Sequence, residues 1–465
     1  MNTGVKKGEE GDFAVNHSEW KSFMKMLMTI VVPIAMQSLL TSLVSASDAL
    51  MLGLMDQSSL SAISLAGQIA FVLSLFFMAI SIGAAVMAAQ YWGSGDSVTV
   101  EKVLGISLRL SIPVSSLFML CALIIPDKLM LLFTSDTNLI ALGIPYLRIV
   151  SFSYLMMGIS QMYLNIMRNT GRVKKGSLYA STAVVLNILL NFILIFGLFG
   201  LPRLEIKGAA LATVISRAVE LLLCLRANAE HDVVKIRLQH ILHAPASLQK
   251  DYFHYMLPVL ANSIAWGFGV TMFSVIMGHL GSDAVAANSI ATIISNIIVC
   301  FCNGLGEGSA VILGNTMGAG ALEQAKEYSR KLILLSIVFG TISGIIILLL
   351  IPVTLKLNTS LTPTARTYLL WMMVISSYYV IGRSLNGVLV TGTFCAGGDT
   401  RFGFICDLIN MWCFIIPVSL IAAFVLHLPV LAVFFLLHLD EIVKIPFEMK
   451  HYRKYTWLKN ITQSS

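Results

Sequence analysis

The sequence predicts an all-α integral membrane protein with twelve transmembrane helices in two six-helix lobes related by internal duplication. The 465 residues are 57% apolar and only 12% charged, whereas a soluble domain carries about 25% charged residues. The apolar residues form runs near twenty residues long, which is the length an α-helix needs to cross the hydrocarbon core. A third observation, an internal repeat with a nearly constant offset in residue number, indicates the duplication.

The apolar runs define twelve candidate spans in two groups of six. The first group covers residues 27–54, 60–90, 103–125, 137–165, 178–199 and 207–227, and the second covers 252–279, 283–313, 329–353, 363–391, 402–425 and 427–447. The polar stretches around them divide the chain into an N-terminal segment (1–26), an N lobe (27–227), a linker (228–250), a C lobe (251–447) and a C-terminal tail (448–465). The first 25 residues lack the apolar core and cleavage site of a signal peptide.

Positive charge is unevenly distributed among the loops. Most of the 31 Lys and Arg residues fall on the side that holds the N-terminus, for example the cluster Arg168, Arg172, Lys174 and Lys175. By the positive-inside rule we expect both termini in the cytoplasm and the chain in the cytoplasmic membrane. The net charge of +7 then indicates orientation and contact with anionic lipid, and not binding to nucleic acid.

Cysteine and histidine spacing indicates neither a metal centre nor an enzyme. The seven cysteines lie in or beside apolar runs without paired spacing, so neither a zinc site nor a disulfide framework is predicted. The histidines are dispersed, whereas a polytopic membrane enzyme would need a His or paired-Asp cluster near one interface. We therefore expect no cofactor.

An internal repeat relates the two halves. Four pairs of residues share a constant offset of 225 in residue number: Pro33 and Pro258, Gly83 and Gly308, Gly93 and Gly318, and Gly95 and Gly320. The stretch from Arg168 to Gly171 matches that from Cys395 to Gly398 at an offset of 227. Parallel repeats of this kind are typical of one architecture of secondary transporters, in which substrate binds near mid-membrane between the halves.

Polar residues inside the spans are candidate sites, because a charge at the bilayer centre costs about 2.5 to 3.5 kcal/mol on insertion scales. In the first helix Gln37, Thr41, Ser45 and Asp48 share one face. We predict that Asp48 alternates between a protonated and an ion-bound form. The alternative is an acid hydrated at the outer end of the helix.

Further candidates lie in the fifth and eleventh spans. Asn187 and Asn191 are four residues apart and can offer two amide oxygens to a cation, or can join helices by hydrogen bonds. Asp407 has no partner on its own helix, which makes it a second acidic candidate, or else a residue that faces water.

The remaining intramembrane charges are expected to be structural. Helical spacing predicts the ion pairs Arg217–Glu220 and Asp440–Lys444. Glu307 lies among glycines near the inner end of the eighth span, where we expect a gating or capping role.

Aromatic residues with many of the 23 methionines can form an adaptable wall for flat cations. The candidates are Trp266, Phe273, Tyr378 and Tyr379. At helical spacing, plain packing is the competing interpretation.

Seven stretches of the sequence match the pattern of a known family. In the first half they are PIAMQSLLTSLVSASDALMLG from Pro33, GAAVMAAQYWGSGD from Gly83, LNILLNFILIFG from Leu186 and IKGAALATVISRAVEL from Ile206. In the second half they are LPVLANSIAWGFG from Leu257, GSAVILGNTMGAG from Gly308 and AGGDTRFGFICDLINMW from Ala396. Read in order, these stretches resemble the multidrug and toxic compound extrusion (MATE) family over nearly the whole chain.

The resemblance implies a twelve-helix antiporter that exchanges Na⁺ or H⁺ for cationic or amphipathic compounds by alternating access, with a substrate cavity between the lobes. The acid of the family's first helix falls on Asp48 and the Asn of its fifth-helix cation site on Asn187, so a Na⁺ ion would bind there. Asn191 stands where many relatives have a second acid. In the seventh helix, Asn262 and Ser263 stand where relatives read Asn-Glu. Cys395 replaces a frequent Arg.

We therefore expect a monomeric, cation-coupled exporter of small organic molecules, with membrane lipids as its other partners. Asp48, Asn187 and Asn191 are the predicted coupling residues, with Gln37, Thr41 and Asp407 as secondary candidates. The predicted substrate cavity contains Asn262, Ser263, Trp266, Phe273 and Tyr379. A lipid-linked precursor flippase is the main alternative, although it would need several basic residues in the cavity, and a membrane enzyme is a more distant one.

Overall fold

The computed structural model describes residues 17–53, 57–200, 202–230, 233–358 and 361–463, with the backbone alone given for residues 17, 18, 45, 46, 48–53 and 57. The N lobe consists of α1 (His17–Gly53), α2 (Gln57–Gly93), α3 (Ser97–Ile124), α4 (Pro126–Leu131), α5 (Thr137–Asn169), α6 (Val173–Phe196) and α7 (Glu205–Asn228). A short helix, α8 (Leu238–Leu242), lies in the predicted linker.

The C lobe is helical but more often interrupted. It consists of α9 (Ala246–His279), α10 (Ser282–Gly318), α11 (Leu322–Leu357), α12 (Pro363–Asn386), α13 (Thr400–Leu408), α14 (Ile416–Leu420), α15 (Val430–Leu437), α16 (Asp440–Val443) and α17 (Ile445–Tyr452). Turns of π-helix follow α12, α13 and α14, at Gly387–Phe394, Ile409–Ile415 and Ile421–Val425. The second of these comes just before Pro417, whose ring removes a backbone donor.

The helices α3, α5 and α12 begin at a residue whose side chain accepts a hydrogen bond from a free backbone N–H of the first turn. Asp96 Oδ1 accepts a hydrogen bond of 3.0 Å from the backbone N–H of Thr99 at the start of α3. Asp136 does the same for Asn138 at 2.8 Å, at the start of α5. Thr362 Oγ1 accepts from Ala365 at 3.0 Å and begins α12.

Ten helical segments in the described ranges are long and apolar enough to cross a membrane: α1, α2, α3, α5, α6, α7, α9, α10, α11 and the segment Thr400–Val425. The two other predicted spans are also helical. Residues 363–391 form α12 and its π turn, and residues 427–447 are divided among α15, α16 and the start of α17. The last span is broken between α16 and α17. Pro446, in the first turn of α17, has no N–H to donate. The predicted all-α membrane fold is confirmed.

The two lobes meet at positions that the duplication relates. A β-carbon on Gly93 would lie 2.1 Å from the carbonyl oxygen of Asn315, and one on Gly318 would lie 1.9 Å from that of Gln90. Gln90 and Asn315 are themselves equivalent positions of the repeat, at the same offset as Gly93 and Gly318. Each contact is therefore the copy of the other, and α2 and α10 cross as equivalent helices of the two halves.

A second pair of contacts repeats the pattern farther along the same helices. A β-carbon on Gly83 would lie 2.9 Å from the β-carbon of Met256, and one on Gly308 would lie 2.8 Å from Val31 Cγ2. Val31 and Met256 are again equivalent positions of the repeat. The packing of α2 on α9 is thus equivalent to the packing of α10 on α1, as close approach at small residues permits.

Both ends of the described chain lie on one face of the molecule. Near the start of α1 the ring of Phe23 lies 4.8 Å from that of Tyr328 on α11. In the C-terminal tail the hydroxyl of Tyr455 accepts a hydrogen bond of 3.0 Å from Arg330 of the same helix. We call this side the terminal face; the charge distribution predicts that it is cytoplasmic.

Candidate translocation cavity and its polar surroundings

A cavity of about 340 Å³ lies between the two lobes. The N lobe lines it with side chains of α1, α2 and α5, and the C lobe with side chains of α10 and of the segment that follows α12. Its wall is mixed: it includes Met78, whose side chain is exposed, the amides of Asn165 and Asn303, and Thr391. A cavity with apolar walls and a few polar groups is the usual form of a small-molecule site.

An ion pair joins the lobes across this cavity. Arg168 Nη1, in the last turn of α5, donates to the carboxylate of Glu307 on α10. The pair is 139 residues apart in sequence, which is why helical spacing did not predict it. We predicted a gating or capping role for Glu307; the structure places it in the cavity wall, paired with the other lobe.

Gln90 lies beside the cavity, one turn of α2 beyond the wall residue Val86. Gln90 is fully buried, and its Nε2 donates hydrogen bonds to the carbonyl oxygens of Ala396, at 2.7 Å, and Lys459, at 3.2 Å. Its Oε1 accepts a bond of 2.9 Å from the backbone N–H of Ile461. One N-lobe amide therefore binds backbone groups of both the C lobe and the C-terminal tail.

The tail is itself anchored to the C lobe. Trp457 is fully buried and its ring stacks on that of Tyr452, with centroids 5.7 Å apart. His451 Nε2 lies 2.6 Å from Oδ2 of Asp399, a residue in the loop that follows the π turn Gly387–Phe394. We call residues 457–463 the tail strap, because they connect the C lobe to Gln90 of the N lobe.

Sequence reasoning missed Gln90 and the strap. A signal was present: Gln90 is an amide inside a run of small residues, and Asn315 stands at the equivalent position of the second half.

The predicted coupling residues of the N lobe are partly brought together. Asn187 Nδ2 lies 3.4 Å from Thr213 Oγ1 and 3.4 Å from Ser216 Oγ, both on α7. Asn191 Nδ2 donates to Asn187 Oδ1 at 3.3 Å. Both asparagines are buried, so they form one polar network between α6 and α7.

The first-helix part of the predicted site is less fully described. The side chains of Ser45 and Asp48 lie outside the described residues, so the role of Asp48 stays a prediction. Gln37 is half-buried, and Thr41 Oγ1 donates to the carbonyl oxygen of Gln37 at 3.0 Å. This bond satisfies the hydroxyl within its own helix.

The predicted pair Arg217–Glu220 is present, with 2.8 Å between Nη1 and Oε2. Ser160 Oγ on α5 adds a hydrogen bond of 2.5 Å to the other carboxylate oxygen. Because the Glu220 side chain is only 1% exposed, both partners are needed to satisfy its charge.

One prediction about the C-lobe charges was wrong. Lys444 pairs with Asp407 at 2.9 Å and with Glu441 at 3.0 Å, and not with Asp440. Asp407, which was expected to have no partner on its own helix, finds its partners on other segments: Lys444, and Asn262 Nδ2 at 2.9 Å. The i, i+4 rule failed because Lys444 lies at the break between α16 and α17. Across this break, residues four apart no longer lie on the same face of one helix.

These groups surround a small second pocket inside the C lobe, of about 120 Å³. Its wall includes Asn262 and Trp266, which were predicted in the substrate cavity, together with Asp407, Asp440 and Lys444. It lies between α9, the segment after α13, and α16.

The other predicted substrate residues lie away from both spaces. Ser263 is buried and donates to the carbonyl oxygen of Val259 on its own helix at 2.8 Å. Phe273 packs on the C-lobe core, and the ring of Tyr379 lies 4.8 Å from that of His438. None of the five predicted residues is in the described wall of the inter-lobe cavity, and their contact with substrate stays a prediction.

Comparison with known proteins decides the family. The profile of the MatE family matches residues 33–193 and 258–421, one match in each lobe. The chain belongs to the MatE family. It is a multi-pass membrane transporter and not an enzyme. One match lies within each of the two halves that the internal repeat predicts.

Similar proteins cover almost the whole MatE chain. A protein of Thermotoga maritima named "Probable multidrug resistance protein NorM" is 23% identical over 94% of this chain and 93% of its own length. The "Uncharacterized transporter YisQ" of Bacillus subtilis is 21% identical over 93% of this chain and 95% of its own. A crystal structure of a MATE protein in complex with MaL6 has a TM-score of 0.85 at 17% identity, over 94% and 97% of the two chains, which shows the shared fold.

Proposed function

We propose that this MatE protein exports small cationic or amphipathic compounds in exchange for H⁺ or Na⁺, by alternating access of the inter-lobe cavity. The observation that carries the proposal is the set of contacts between the lobes near the cavity. On the side of the terminal face the lobes meet at Gly93, Gly318 and Gln90. Contacts of this kind separate when one lobe rocks against the other.

The proposed substrates follow from the cavity wall and from the relatives. A mostly apolar wall with a few amides and one internally neutralised ion pair, Arg168–Glu307, suits an amphipathic organic compound. The name of the Thermotoga maritima relative supports multidrug substrates. A flippase for lipid-linked pyrophosphate is disfavoured, since Arg168 is the one basic residue in the described wall and is already paired.

Coupling is assigned to the N lobe. Asp48 would bind the ion from the outer side, with Asn187 and Asn191 as neutral neighbours, and ion binding would favour the state open at the terminal face. An ion shifts this equilibrium only through unequal affinity for the two states. The protein would act as a monomer in the cytoplasmic membrane with both termini in the cytoplasm.

The test is transport of ethidium into proteoliposomes of purified protein, with pH and Na⁺ gradients imposed separately. Accumulation should follow one of the two gradients and fall to background in Asp48→Asn. Asp127→Asn makes the same chemical change at an exposed position and should leave accumulation unchanged. Ethidium flux that ignores both gradients would reject coupled antiport, and gradient-driven flux in Asp48→Asn would remove Asp48 from the mechanism.

A further inference from the structure

The pair Arg168–Glu307 is the starting point, because its members belong to different lobes. Among the described residues that line the inter-lobe cavity they are the only charged ones. Their side chains remain 23% and 43% exposed. The pair is therefore reachable by water and by a solute in the cavity.

The duplication shows that the fold itself does not need this pair. Glu307 corresponds to Ile82, at an offset of 225, and Arg168 corresponds to Cys395, at an offset of 227. Ile82 and Cys395 line the same cavity without charge. A partly exposed ion pair also adds little to stability. The charges of Arg168 and Glu307, which the equivalent residues Cys395 and Ile82 lack, therefore point to a function other than lobe packing.

The contact depends on the relative position of the lobes. Arg168 belongs to the N lobe and Glu307 to the C lobe, and they meet while Gly318 and Gln90 hold the lobes together at the terminal face. Separation at that face would carry the guanidinium away from the carboxylate. Glu307 would then be a charged group without a counter-ion in a cavity whose wall is mostly apolar, and such a charge gains from a cationic partner.

We propose that Glu307 binds the positive charge of an organic cation when the terminal face is open, and that Arg168 is a tethered competitor that displaces this cation when the face closes. The inference rests on the proposed export function. In each state the carboxylate has one cationic partner, the substrate or the guanidinium. Affinity for the cation is consequently higher in the state open at the terminal face than in the closed state. Because of this difference, the cation binds while the terminal face is open and is released after it closes.

The test is equilibrium binding of tetraphenylphosphonium, a permanent organic cation, to purified protein in detergent. Glu307→Gln should weaken binding roughly fivefold, the size of a partly exposed ion pair. Arg168→Gln removes the competitor and should strengthen binding by a similar factor. Arg168→Lys keeps a competing charge and should bind nearly as the wild type does.

A matched control pair lies outside the cavity. Arg172 Nη1 is 3.1 Å from Glu230 Oε2, beyond the end of α7. A hydrogen bond from Lys175, together with Arg172, lowers the pKa of Glu230 below its usual value, so this carboxylate stays charged at neutral pH. Arg172→Gln and Glu230→Gln should leave tetraphenylphosphonium affinity unchanged.

The opposite signs separate competition from a structural effect. If the pair merely shapes the cavity, both Gln variants should weaken binding, and that result would overturn the proposal. Equal affinity of the wild type and Glu307→Gln would also overturn it, while leaving the export function intact. A wild-type protein that binds no tetraphenylphosphonium would contradict both proposals. If Glu307→Gln does not elute as a monodisperse protein, the comparison of Arg168→Gln with Arg168→Lys still shows whether removing the competing charge strengthens or weakens binding.

Discussion

Gly318 and the carbonyl oxygen of Gln90 meet so closely across the two lobes that a β-carbon on Gly318 would lie 1.9 Å from that oxygen. The equivalent contact, between Gly93 and Asn315, is almost as close at 2.1 Å. Backbone contacts this tight exist only while the lobes are together. They make the state closed at the terminal face sensitive to a single methyl group.

Gly318→Ala should therefore shift the protein towards the state open at the terminal face. The new methyl group must push backbone away from backbone, which is costly in a packed interface. Accessibility of a cysteine at Ala310, in the cavity wall, to a polar maleimide added on the terminal-face side should rise severalfold.

Gly278→Ala is the control for this substitution. It makes the same change in a helix where no heavy atom outside the adjoining backbone of that helix lies within 4 Å of the new β-carbon. It should leave labelling at Ala310 unchanged. Equal labelling in Gly318→Ala and Gly278→Ala would show that the contact does not limit opening.

The tail strap provides a second test of the same closure. Ile461→Pro removes the N–H that donates to Gln90 Oε1, whereas Ile461→Ala keeps it. Because a buried amide left without its partner costs about 1–3 kcal/mol, Ile461→Pro should open the terminal face more than Ile461→Ala does. The same labelling at Ala310 measures the difference, and equal labelling of the two variants would contradict a role for the strap.

Lys444 should be the most sensitive charge of the C lobe. Lys444→Met leaves the carboxylates of Asp407 and Glu441 without their ammonium partner, and such changes cost about 3–5 kcal/mol when the pair is buried. The side chain of Lys444 is only 10% exposed. We expect a clear fall in the thermal unfolding midpoint of the detergent-solubilised protein.

The double variant Lys444→Met with Asp407→Asn should recover part of the loss, because it removes one of the two uncompensated charges. A double variant less stable than Lys444→Met would mean that Lys444 acts through packing and not through charge.

Asn187 should matter more for stability than its exposed neighbours on α6. Asn187→Ala removes the amide that lies against Thr213 and Ser216, at an expected cost of about 1 kcal/mol for a modest interhelical network. Thr182→Ala, whose hydroxyl bonds only its own helix at Leu178, is the matched control. Equal unfolding midpoints for the two variants would contradict a structural network at Asn187.

Sequence patterns predicted the fold well because membrane helices are specified locally. Run length gave the spans, and the constant offset between pairs such as Pro33 and Pro258 gave the duplication. The patterns could not predict which residues of the two repeats contact each other across the lobes. The contact of Gly318 with Gln90 follows from how two folded halves pack, although its equivalence to the contact of Gly93 with Asn315 would have suggested a symmetric pair.

The site was harder to predict than the fold, because its charges come from distant helices. Arg217–Glu220 was predictable from spacing within one regular helix. Arg168 and Glu307 lie 139 residues apart, and no local pattern relates them. Lys444 misled the spacing rule because the helix is broken beside it. Composition identified the ionisable residues but not their partners.

The most direct test of alternating access is the distance between spin labels at Val98 and Glu323, exposed and equivalent positions of the two lobes on the terminal face. The labels would be placed on a chain whose native cysteines are replaced by alanine. The distance between them would be measured by pulsed electron paramagnetic resonance, with and without tetraphenylphosphonium and at two pH values. Alternating access predicts two distance populations whose ratio changes with these conditions. A single distance under every condition, in protein that still transports, would contradict it.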